Sequence, residues 1–152
     1  MIDSTTIVNK DILEIIRNIH YVITDTKVFH GKPRYESDVH QRIESILKCV
    51  FPDLKHKPTL TKQIKNFEPD TGIQSINTLI EYKYLSRSEN VSRIADEVLA
   101  DTRGYTSPEW KRFIYVIYET SRIRPESEWN LFLRQSKIPK NTCIVVLSGE
   151  PA

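Results

Sequence analysis

Apolar residues recur three or four positions apart from Val8 onward, at Val8, Ile12, Ile15, Ile16 and Ile19. That spacing predicts an amphipathic helix over about 8–21. The segment TDTKVFHGKP interrupts it, with Gly31 and Pro33 as punctuation. A second helical pattern covers 35–50, where Val39, Ile43, Ile46, Leu47 and Val50 share one side. Weak alternation around Thr59–Ile64 predicts a short strand, Gly72–Ile76 a brief one, and TLIEYKYL at 78–85 a stronger one. Asn77 and Thr78 separate the last two, as a tight hairpin would require. The next helix carries Val91, Ile94, Ala95, Val98 and Leu99 inward, and Gly104 stands where a capping glycine belongs. RFIYVIYE at 112–119 and TCIVVLSG at 142–149 read as buried strands. Between them, Pro125 opens a short helix, PESEWNLFLRQS.

The element order is therefore α, α, β, β, β, α, β, α, β. Three antiparallel strands followed by helix–strand units returning to the same sheet predict an α/β fold, a mixed central sheet flanked by helices. With 152 residues, one domain is expected. Residues 1–34 form an N-terminal helical extension of it, 35–119 a core, and 120–152 a C-terminal helix and strand.

Composition narrows the function classes. Hydrophobic residues make up 39% and charged residues 28%, the balance of a globular chain. No apolar run approaches the roughly 18–20 residues that cross a bilayer, and MIDSTTIVNKDILEIIRNIH has acids and asparagines where a signal peptide is apolar. A cytoplasmic protein without a membrane partner is the expectation. Cys49 and Cys143 stand apart from any CxxC or Cys/His cluster, so buried or inert thiols are expected rather than a disulfide or zinc framework. A net charge of +2 confines any nucleic-acid surface to a local patch.

Four tripeptides fit acid-x-Lys: Asp25-Thr26-Lys27, Asp53-Leu54-Lys55, Glu81-Tyr82-Lys83 and Glu109-Trp110-Lys111. Among them, Glu81-Tyr82-Lys83 alone lies inside a predicted strand. Period two places Leu79, Glu81, Lys83 and Leu85 on one face, so acid and ammonium share it. Burying an unpaired carboxylate costs several kcal/mol, so the pair calls for mutual pairing, a metal or solvent. A salt bridge on a solvated face is the plain alternative. Asp70 lies 11 positions before Glu81, and an antiparallel turn between them makes the carboxylates converge. Hard oxygen ligands with room for water and phosphate suit Mg²⁺ or Mn²⁺.

A third acid follows from helix geometry. Stepping about 100° per residue from Glu36, the apolar arc of helix 35–50 includes Glu36 itself. Asp38 points away from the core and Glu44 sits at the margin. His40 follows Glu36 by one turn and is expected to be a partly buried helix residue. Tyr105 is expected to serve packing.

Pro69-Asp70 followed by Glu81-Tyr82-Lys83, with an acid on the preceding helix, resembles the signature of the PD-(D/E)xK nuclease superfamily. Its restriction-endonuclease-like fold has an αβββαβ core, which the order over 35–119 matches. The wording PDTGIQSINTLIEYK further resembles stand-alone nuclease domains of restriction and phage-defence systems. The resemblance implies Asp70 and Glu81 as metal-binding acids, Lys83 as the residue that positions or activates water, and Glu36 as an auxiliary acid. It implies a Mg²⁺- or Mn²⁺-dependent endonuclease, acting on DNA as a homodimer. Lys62, Lys65, Arg87, Arg93 and Arg103 flank the site in sequence as candidate phosphate contacts. The rival reading is a catalytically silent nuclease-fold module that binds nucleic acid or a partner protein.

Overall fold

A computed structural model of the chain describes residues 4–105, 107–138 and 141–150, with side chains described from Ile12 onward. Five strands form one sheet in the order β1-β2-β3-β4-β5. They are β1 (Lys55–His56), β2 (Thr71–Ile73), β3 (Thr78–Leu85), β4 (Arg112–Glu119) and β5 (Thr142–Ser148). Pairing is antiparallel from β1 to β3 and parallel from β3 to β5. The helices are α1 (Ser4–Ile23), α2 (Thr26–Phe29), α3 (Glu36–Val50), α4 (Val91–Tyr105) and α5 (Glu126–Gln135). Among them, no helix is long and apolar enough to cross a membrane.

Both faces of the sheet are covered. Ile12, Ile16 and Ile19 of α1 and Val39, Ile43 and Leu47 of α3 pack on Ile80, Tyr82, Ile114, Val116 and Val145. Ile94 and Val98 of α4 and Trp129 and Leu133 of α5 pack on Leu79, Leu85, Tyr115, Ile117 and Ile144. Central strands covered on both sides need apolar residues at successive positions, which is why RFIYVIYE and TLIEYKYL read as near-continuous runs. The mixed sheet with helices on both faces is the α/β architecture that the element order predicts.

Several details differ from the sequence reading. No strand forms over Thr59–Ile64: β1 lies earlier, and residues 60–67 make an excursion closed by Leu60 and Phe67. Ile64 is 99% exposed there, so the weak alternation has no apolar face to bury. β2 ends at Ile73, and a 3-10 turn over Gln74–Ile76 leads to Asn77, whose φ of 48° redirects the chain into β3. The hairpin therefore has a four-residue connection rather than the tight turn expected at Asn77 and Thr78. α2 is an unforeseen turn of helix capped by Asp25, whose carboxylate accepts from the Lys27 N–H. Pro125 is the N-cap of α5 rather than its first residue.

Gly104 lies inside α4 rather than beyond its end. A Cβ there would sit 2.3 Å from a Phe67 ring carbon, so the glycine admits Phe67 against the helix. On α3, Val50 is 50% exposed because it is the last residue of the helix. Cys49 is exposed and Cys143 half-buried, and both are free thiols. The side chain of Val8 lies outside those described.

Candidate active site

The β2–β3 register sets the geometry. Thr71 pairs with Ile80, so the next position out places Asp70 across from Glu81. The Asp70 N–H donates to Glu81 Oε1 at 2.7 Å, and the Tyr82 N–H donates to Asp70 Oδ2 at 3.0 Å. Each carboxylate is thus oriented by a peptide group of the other's segment.

Strand alternation puts Glu81 and Lys83 on the face covered by α4, where they are 7% and 8% exposed. Three residues of α4, spaced four apart, meet them there. Lys83 Nζ donates to Asp101 Oδ2 at 3.1 Å and lies 3.2 Å from Glu97 Oε2 and 3.8 Å from Glu81 Oε2. The Tyr105 hydroxyl donates to Glu81 Oε1 at 3.0 Å.

Burial pushes the Glu81 carboxyl up to about 8, with the charges of Asp70 and Asp101 adding to it. Lys83 and the Asp70 N–H oppose that shift without cancelling it. Burial also works against the Lys83 ammonium, but Asp101, Glu81 and Glu97 outweigh it and raise the lysine above its ordinary value. Lys83 is therefore a fixed cation at neutral pH. It donates to Asp101 and carries its proton throughout the neutral range. Asp101 is raised as well, by burial first, with Lys83 pulling the other way.

The remaining sequence-predicted residues fall in different places. Glu36 opens α3 and is exposed, where its helical angle suggested burial against the sheet. Its carboxyl still feels the site: desolvation raises it, Lys83 and Arg93 lower it, and Asp70 and Glu97 raise it. His40 is buried, with Nδ1 4.0 Å from Asp70 Oδ1. Lys62 and Lys65 belong to the excursion between Leu60 and Phe67, and Lys65 Nζ sits 5.3 Å from the centre of the Phe67 ring. Phe67 meets Tyr105 edge-on at 6.2 Å, which anchors the excursion beside the site. Arg93 donates to Glu97 at 2.8 Å, joining the group around Lys83. Arg87 instead faces Glu89 at 3.6 Å, and Arg103 is exposed on α4.

Sequence reasoning missed Glu97 and Asp101 and gave Tyr105 only a packing role. The signal was present: Glu97, Asp101 and Tyr105 recur at i, i+4 and i+8 beside the buried stripe of Ile94, Val98 and Thr102.

A family model described as REase_DpnII-MboI matches residues 14–150. No curated protein and no solved structure matches the chain. The family match spans nearly the whole sequence, and the chain belongs to the DpnII-MboI restriction endonuclease family, a restriction-endonuclease-like group of PD-(D/E)xK type.

Proposed function

We propose that this member of the DpnII-MboI family is a divalent-metal-dependent endonuclease that hydrolyses DNA phosphodiester bonds. In this reading Asp70 and Glu81 hold the ion, Lys83 is the positioning cation and Glu36 an auxiliary acid. The observation that carries it is the cross-strand pairing of Asp70 with the buried Glu81. Two carboxylates held together at low solvent exposure repel each other, and the raised Glu81 acid registers that repulsion after burial itself. A cation between them relieves it. Oxygen-only donors fit Mg²⁺ or Mn²⁺ rather than a thiolate- or imidazole-seeking ion.

Such an ion supplies Lewis-acid polarisation of a phosphoryl oxygen. The chain's own residues do the rest. Lys83, fixed as an ammonium by Asp101 and Glu97, orients the attacking water and offsets negative charge developing on the phosphorane. The Tyr105 hydroxyl and the Asp70 N–H hold Glu81 in one orientation. Lys62, Lys65, Arg87, Arg93 and Arg103 are the backbone-binding cations in this reading. Cutting both strands of a duplex calls for two such sites, so the working form is a homodimer and the biological role is restriction of foreign DNA.

The test is a cleavage screen over supercoiled plasmid, single-stranded DNA and RNA, each with Mg²⁺, with Mn²⁺ and with chelator. Metal-dependent nicking and linearisation of the plasmid is the expected result. Cleavage of RNA alone, cleavage indifferent to chelator, or binding without cleavage under every condition would refute the reading.

A further inference from the structure

On the α3 side of the sheet, behind Asp70, two histidines and a glutamate converge from separate segments. His40 and Glu44 are one turn apart on α3, and β1 brings His56 up beside them. His40 Nε2 lies 2.7 Å from Glu44 Oε2, and His56 Nδ1 lies 2.7 Å from Glu44 Oε1. The two imidazole rings stack with centroids 4.7 Å apart, and His40 stacks on Tyr82 at the same separation. The Thr71 hydroxyl donates to Glu44 Oε2 at 2.6 Å.

We propose that His40, Glu44 and His56 form a second metal site, for a nitrogen-seeking ion of the Zn²⁺ class, separate from the carboxylate pair Asp70 and Glu81. One ligand atom from each of the three residues lies within 4.8 Å of the others. Zinc bonds to nitrogen run about 2.0–2.1 Å, which sets ligand atoms of a tetrahedral shell about 3.3–3.4 Å apart, so the largest separation closes by about 1.5 Å around one ion. The closure falls to His56, whose side chain is 56% exposed, while those of His40 and Glu44 are 9% and 15% exposed and already fixed. Two imidazoles and a carboxylate select Zn²⁺ and its neighbours over Mg²⁺, which keeps water and oxygen ligands.

The surroundings also match what a bound ion needs from its outer partners. A metal on His40 Nε2 leaves the ring proton on Nδ1, the nitrogen that faces Asp70 Oδ1 at 4.0 Å. Thr71 orients the carboxylate of Glu44. The site would tie the two-residue strand β1 to α3 without supplying a catalytic group.

Zinc affinity of the full chain, measured without DNA by competition against a chromophoric chelator in excess Mg²⁺, tests the proposal. One Zn²⁺ per chain is expected, bound about a hundredfold or more weakly in His56→Ala and in Glu44→Gln, since a lost ligand costs no less than a lost outer-shell partner. Glu81→Gln, which removes the other centre, should leave zinc affinity within about threefold of wild type; only outer-shell partners alter it more. His56 is exposed, so His56→Ala without metal should melt like wild type, and the same titration followed by thermal shift controls for folding. Absence of zinc binding by the wild-type chain, unchanged affinity in His56→Ala, or loss of affinity in Glu81→Gln would each overturn the proposal. None of these outcomes bears on DNA cleavage by the carboxylate centre.

Discussion

Asp70 gives its backbone N–H to the carboxylate of Glu81 at 2.7 Å, although the two residues are 11 apart in sequence and each carries an acid. Antiparallel pairing of β2 and β3 forces that meeting, and the peptide hydrogen bond offsets part of the repulsion it creates.

Stability without metal should fall as pH rises. The folded-state acidity of Glu81 lies near 8, above the ordinary glutamate value of about 4.3. Over that interval the folded chain holds a proton that the unfolded chain has released, so stability is greatest below the interval and is lost as pH climbs through it. In chelator, the melting temperature of wild type should drop relative to Glu81→Gln between about pH 5 and pH 8. Parallel curves for the two proteins would contradict the assigned environment of Glu81.

Lys83→Met should cost stability as well as activity. Its ammonium is shared by Asp101, Glu97 and Glu81, and removing it leaves three acids facing one another. Breaking a buried pair costs about 3–5 kcal/mol, and the partial exposure of Glu97 and Asp101 puts this case nearer 2–3 kcal/mol. Urea unfolding checks it, and Asp101→Asn in the same chain should recover part of the loss.

Tyr105→Phe removes the hydroxyl that donates to Glu81 Oε1. A donor to a carboxylate favours its charged form, so the variant should raise the Glu81 acid further. The acidic limb of the pH–rate profile is expected to move to higher pH, with a loss of about tenfold at neutral pH. A uniform loss at every pH would mean that Tyr105 acts only by packing.

Gly104→Ala places a methyl where the Phe67 ring already lies, 2.3 Å from its nearest carbon. Overpacking of this kind costs about 1–3 kcal/mol. Because Phe67 rests on Tyr105, DNA affinity and cleavage should decline with stability. A thermal melt beside a filter-binding assay would detect both.

Much of this was written in the local pattern of the chain. The runs at 78–85 and 112–119 announced central strands because both of their faces are covered, and the helical stripes found Val39, Ile43 and Leu47 of α3 and Ile94 and Val98 of α4 among the buried positions. The convergence of Asp70 with Glu81 followed from strand period and an antiparallel turn. Other features depend on neighbours that periodicity does not name. Glu36 lay within the apolar arc of α3 by angle, yet it is the first residue of that helix and is exposed. Glu97 and Asp101 take their place from Lys83 of β3, whose ammonium lies 3.2 and 3.1 Å from them. Gly104 read as a cap because the sequence does not show Phe67, 37 positions earlier, folding back onto α4.

Asp70, Glu81 and Lys83 are proposed to form the metal-dependent cleavage centre. Plasmid nicking in Mg²⁺ or Mn²⁺ by wild type, Asp70→Ala and Lys83→Ala, with folding of each verified by circular dichroism, tests it most directly. Cleavage by wild type and a loss of about a hundredfold or more in both variants is the expected result. Cleavage persisting at the wild-type rate in both would contradict it.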